Sequence, residues 1–179
     1  MYLDIKNLYI VITHLIAGDR KMLRKLLKTD DNTATTILRL ALGTVFFAHG
    51  AQKLLGWFGG YGFAGTMGFF TGVLHIPAPF GLLAIIAEFF GGLGLLFGFL
   101  TRIAAFGIAV NMAVAIAAVH HSFGFFMNWT GAQKGEGIEY HLVLLAVTAF
   151  LMIRGAGAYS IDRAIANAAP TPQPALARL

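Results

Sequence analysis

His49, Gln52 and Lys53 stand at i, i+3 and i+4, so a helix puts all three side chains on one face. Glu88 interrupts "GLLAIIAEFFGGLGLL", Asn111 interrupts "FGIAVNMAVAIAA", His120 closes that second run, and Glu139, Tyr140 and His141 open another. An acidic group in the middle of an apolar span costs about 2.5–3.5 kcal/mol on insertion scales, so Glu88 must face an interior and either carry a partner or hold a proton. Imidazoles and a carboxylate can hydrogen-bond the two oxygens of a quinone ring and relay its protons, with Phe89, Phe90 and Phe126 packing against it. Three further readings stay open: a transport pocket, a transition-metal site, and an internal hydrogen-bond network with no ligand. Neither HxxxH nor HxH occurs, and adjacent His120 and His121 point different ways, so no metal ligands are assigned. The catalytic candidates are Glu88 and His120. His49, Gln52, Lys53, Asn111, Glu139, Tyr140 and His141 are ligand-binding candidates, and His49, Gln52, Lys53, Glu88, His120 and His141 are expected to converge on one cavity opening outward.

The elements that must position these groups follow from composition. The chain has 179 residues, is 58% hydrophobic and has a mean hydropathy of +0.74. Only 12% of its residues are charged, against about a quarter in a soluble domain. Crossing about 30 Å of hydrocarbon takes roughly 20 apolar residues as a helix, and four such stretches run over residues 35–55, 78–100, 102–120 and 139–159. None alternates polar and apolar residues as a spanning barrel strand does. The fold class is therefore all-α, an integral membrane four-helix bundle. Small residues at four-residue spacing, Ala87 with Gly91, Gly94 with Gly98, and Ala105, Ala109, Ala113 and Ala117, are expected to form its packing faces.

Charge sets the orientation. With the N-terminus, the link between the second and third spans and the C-terminus on one side, that side holds eleven of the thirteen Lys and Arg residues, leaving Lys53 and Lys134 opposite. The positive-inside rule then places both termini in the cytoplasm (N-in/C-in). The pI of about 9.8 comes from this one-sided distribution, and no nucleic-acid partner is expected. Residues 1–34 read as a basic amphipathic interfacial helix: the apolar run from Leu8 to Ala17 is too short to span, and Arg20, Lys21, Arg24, Lys25 and Lys28 follow it. Residues 35–160 form the four-span domain. Residues 161–179, ending in "NAAPTPQPALARL", are expected to be a disordered cytoplasmic tail. The chain has no cysteine, which excludes thiol chemistry on its own side chains.

The stretches "RLALGTVFFAHGAQKLLGWFGGYG", "AEFFGGLGLLFGFLTRIAA", "NMAVAIAAVHHSFGFF" and "GIEYHLVLLAVTAFLMIRGAGAYSID" resemble the successive motifs of the DoxX family of small four-helix membrane proteins. The likeness runs from about Arg39 to Asp162 and touches the positions Arg39, Gly50, Lys53, Glu88, Gly91, Gly92, His120, Glu139, Tyr140, Ser160 and Asp162. It implies a multi-pass protein of the bacterial inner membrane. It also implies service as a membrane subunit or anchor of a quinone- or thiol-linked oxidoreductase, with quinone as a candidate ligand. A transporter or assembly factor for small molecules or metals is the alternative. The partners so implied are the lipid bilayer, oxidoreductase subunits and further copies of the chain.

Overall fold

A computed structural model of the protein describes residues 22, 23 and 25–168. All regular structure among these residues is helical. Helix α1 (Thr33–Leu55) is followed by a short helix α2 (Gly62–Gly68), then α3 (Ala78–Phe97), α4 (Thr101–Ala118), α5 (Glu139–Arg154) and a terminal α6 (Ile161–Ala168). The expected interfacial helix lies, for residues 1–21 and 24, outside the described residues, as does the tail from residue 169. The segment after residue 160 begins with α6, whose Asp162 is buried, so ordered structure continues beyond the expected domain end.

Local chemistry sets the helix ends. The Asn32 side chain accepts from the amide of Ala34 at 2.7 Å and caps α1, which stops at Gly56 in the left-handed region, at φ 75°. Gly98 ends α3 in the same way, three residues before the span predicted from hydropathy. Helices α1, α3 and α4 are long and apolar enough to cross a membrane. Helix α5 has 16 residues because Gly155 terminates it, well before residue 159. At about 1.5 Å per residue it is roughly 24 Å long.

Helix α1 packs on α3, α3 on α4, and α4 on α5. Their shared core is Leu42 and Phe46 from α1, Leu95 from α3, Ala105, Ile108 and Met112 from α4, and Leu144 and Leu151 from α5. Lipid gives little hydrophobic drive for such association, so close van der Waals contact must supply it. The tightest approach is α1 against α3: a Cβ on Gly50 would lie 2.4 Å from Phe89 N and Cα, and one on Gly92 would lie 2.4 Å from Phe47 N. Of the alanine stripe expected to pack, Ala105 is buried, whereas Ala113 and Ala117 are exposed. Helix α4 turns only part of that stripe to its neighbours, because residues four apart on an α-helix drift by about 40° per step and the stripe winds off the packed face.

One end of the helix assembly is tied by arginines. Arg39, 1% exposed, donates from Nε to the carbonyl of Ala156 (2.9 Å), from Nη1 to Leu95 and Leu96 (2.8 Å to the latter), and from Nη2 to Tyr159 (3.3 Å). It therefore satisfies carbonyls that the end of α3 cannot. Arg102 does the same for α5, reaching Met152 and Ile153, and also the carbonyl of Lys28. Buried Asp162 accepts from the amides of Leu100 (2.7 Å) and Thr101 (2.9 Å), and so caps α4 across a gap in sequence.

Candidate ligand site around a buried carboxylate

Glu88 lies near the middle of α3 with its side chain 6% exposed. Gly50 lets α1 come close enough that Lys53, one turn further along, reaches it: Lys53 Nζ is 2.5 Å from Glu88 Oε2. From the other flank, Asn111 Nδ2 on α4 donates to Glu88 Oε1 at 2.7 Å. Each carboxylate oxygen thus has its own donor, and the three side chains come from three different helices. The Lys53 side chain is 26% exposed, so the cluster is open at its Lys53 edge, toward the end of the assembly opposite Arg39. A buried ion pair of this kind adds little net stability, because desolvating two charges offsets most of their attraction. Its chemical capacity is clearer: an ammonium and an amide as donors, and a carboxylate that can accept a hydrogen bond or a proton.

A second group lies where α4 ends and α5 begins. The rings of His120 and His141 are 4.0 Å apart between centroids, and His141, 7% exposed, has a buried Nδ1 with no hydrogen-bond partner. His120 Nδ1 lies 2.8 Å from the carbonyl oxygen of Glu136. Tyr140 sets its ring edge-on to His141. Glu139 is occupied with its own loop, accepting from the amide of Met127 (2.8 Å) and the indole of Trp129 (3.2 Å).

The nine candidates are thus sorted by the fold. Lys53, Glu88 and Asn111 meet directly, and His120, Tyr140 and His141 form a second, separate group. Gln52 donates to the carbonyl of Phe58 at 3.3 Å and braces the turn after α1, while His49 is exposed on the flank of that helix. Among the described residues no group of three or more His, Asp or Glu gathers in a way that could hold a metal ion. An open groove lined by Asp31, Tyr159, Ser160, Arg163, Ala164 and Asn167 lies at the Arg39 end and includes none of the nine. The search for polar chemistry passed over Glu136, whose backbone fixes His120, and gave no role to Gly50, which admits the ion pair. Gly50 was visible as the small residue between His49 and Lys53.

This arrangement of apolar helices around an ionisable mid-span cluster defines a membrane protein with an internal polar site. The chain belongs to the DoxX family, whose pattern it matches over residues 34–121. It is 31% identical over 137 residues to Inner membrane protein YqjF of Escherichia coli (strain K12), a match covering 76% of this chain and 95% of YqjF. It is 28% identical over 128 residues to "Putative oxidoreductase CatD" of Bacillus subtilis (strain 168), covering 72% of this chain and 84% of CatD. No solved structure matches the chain.

Proposed function

We propose that this protein is an N-in/C-in four-helix bundle of the bacterial inner membrane, and that it serves as the membrane subunit or anchor of a redox system. In this reading Lys53, Glu88 and Asn111 bind a quinone. The orientation rests on the topology read from the sequence, which assigns eleven of the thirteen Lys and Arg residues to one side. Assigning α5 as a fourth span requires only local thinning of the bilayer or the outward reach of flanking side chains. The membrane setting and the inner-membrane relative YqjF support the location, and the name of CatD supports a redox link.

The single observation that carries the ligand assignment is a mid-span carboxylate whose two oxygens are held by one cationic and one neutral donor. A quinone carbonyl would replace Glu88 as the acceptor for Lys53 or Asn111, and the carboxylate so released could accept a proton from the quinol hydroxyl. His120 and His141 would then carry protons toward the membrane face, and Tyr140 would border the ring. Electrons, and any thiol step, belong to a partner subunit, since this chain has no cysteine.

The test is mass spectrometry of organic extracts from protein purified in mild detergent, for the parent and for Glu88→Gln. The parent should carry quinone near stoichiometry and Glu88→Gln markedly less. Equal quinone in both, or none in the parent, would sink this assignment. Solute uptake by vesicles without electron transfer would transfer the site to the transport class.

A further inference from the structure

From Leu54 to Ala87 the chain contains no Lys, Arg, Asp or Glu. Across the same stretch the aromatic residues Trp57, Phe58, Tyr61, Phe63, Phe69 and Phe80 are all exposed, Tyr61 to 85% and Trp57 to 53%. An exposed aromatic surface lacking charge over this length does not suit water, and it offers nothing to a partner selected by salt bridges.

The backbone fixes the depth of this surface. After Gly56 the chain turns back on itself: a Cβ on Gly60 would lie 2.2 Å from the carbonyl oxygen of Gln52, a full turn before α1 ends. Gln52 Nε2 holds Phe58 from the same level. At the far side, Gly81 in the first turn of α3 meets Met67 and Phe70. Helix α2, with Thr66 buried beneath it, is therefore laid along the last turn of one span and the first turn of the next. It does not stand out above them. Its exposed face is consequently level with the boundary between headgroups and acyl chains, where Trp and Tyr are enriched because their rings are amphipathic.

We infer that residues 57–73 form an interfacial anchor that embeds its aromatic face in the uncharged headgroup–acyl boundary of the leaflet on the Lys53 side. The partner is the lipid surface itself, bound without any need for anionic headgroups. The anchor pins the mouth of the Lys53–Glu88 cluster beside lipid, and it holds whether or not quinone is the ligand of that cluster.

The chain has two tryptophans, so Trp129→Phe leaves Trp57 as a lone reporter. In vesicles of zwitterionic phosphatidylcholine, lipids brominated near the headgroup should quench Trp57 about twofold more than lipids brominated near the bilayer centre, as befits a face seated about 5–10 Å into the boundary. Adding anionic lipid should leave the quenching unchanged. Tyr61→Trp in a background lacking both native tryptophans should behave the same way and guards against a local effect at Trp57. Red-shifted emission quenched by aqueous iodide would place the segment in water. Blue-shifted emission insensitive to bromine at every depth would mean that protein covers it. Stronger quenching by the deep bromines would mean that it dips into the core. Each of these three results overturns the inference.

Discussion

Gly50→Ala tests the link between packing and the polar cluster. The added methyl would lie 2.4 Å from Phe89 N and Cα and 2.7 Å from Glu88 C, whereas ordinary contact begins near 3.4 Å. The obstruction is backbone, which cannot swing aside as a side chain does, so α1 and α3 must part by about 1 Å. Such overpacking costs about 1–3 kcal/mol, and a backbone clash belongs at the upper end. Alanine returns about 1 kcal/mol through its better helix propensity, leaving a net loss of about 2 kcal/mol. The same separation would stretch the 2.5 Å contact of Lys53 with Glu88 to about 3.5 Å, beyond hydrogen-bonding range. Gly68→Ala is the control: nothing lies within 4 Å of its added methyl, so it keeps the propensity gain of up to about 1 kcal/mol. Thermal unfolding in mild detergent, followed by circular dichroism, should order the proteins Gly68→Ala, parent, Gly50→Ala from most to least stable. A Gly50→Ala protein melting at or above the parent would refute the close approach of α1 and α3, and with it the account of how Lys53 reaches Glu88.

Removing the two ends of the ion pair should have unequal effects. Lys53→Met strands a buried carboxylate and should cost up to about 3–5 kcal/mol, while Glu88→Gln leaves an ammonium that can turn to water and should shift the melting temperature little; equal shifts would contradict the burial difference between the two. Arg39→Lys cannot serve the carbonyls of Leu95, Leu96, Ala156 and Tyr159 together. An ammonium has three N–H donors for these four acceptors, so at least one is left unpaired at about 1–3 kcal/mol, and a parent-like melting curve would refute the clamp. Because the chain has no cysteine, Asn111→Cys can be labelled without background by a membrane-impermeant thiol reagent in oriented vesicles. Reaction should occur only from the Lys53 side, and labelling from the Arg39 side would disprove access through the Lys53 edge.

Much of this fold is readable from the chain because membrane spans announce themselves by length and hydropathy, as "GLLAIIAEFFGGLGLL" does. Their ends are less legible. Gly98 and Gly155 stop α3 and α5 earlier than hydropathy alone indicates, since an apolar residue beyond a left-handed turn looks no different from one before it. Glu88 stood out by its cost, and Asn111 as the polar residue that interrupts the next apolar run. The one-cavity expectation was coarser than the geometry, because spacing along a helix says which side chains share a face but not how closely two helices approach. Whether Lys53 reaches outward to the headgroups or inward to Glu88 depends on Gly50 meeting Phe89, a contact between segments about forty residues apart in the chain. The alanine stripe misled for the same reason: small residues permit close contact without requiring it, and Ala113 and Ala117 are left uncovered.

The arginine clamp also bears on traffic through the protein. Between Glu88 and Arg39 lie Leu42, Leu95, Ala105, Ile108 and Leu151, all at most 4% exposed, and beyond them Arg39 is bound to carbonyls of α3 and of the chain leading to α6. A solute that entered past Lys53 would meet a dead end, and a path through the Arg39 end would require Arg39 to release those carbonyls. On the proposed reading, a ligand held at Glu88 would exchange only with the compartment on the Lys53 side, so that the helices would form a cup rather than a corridor.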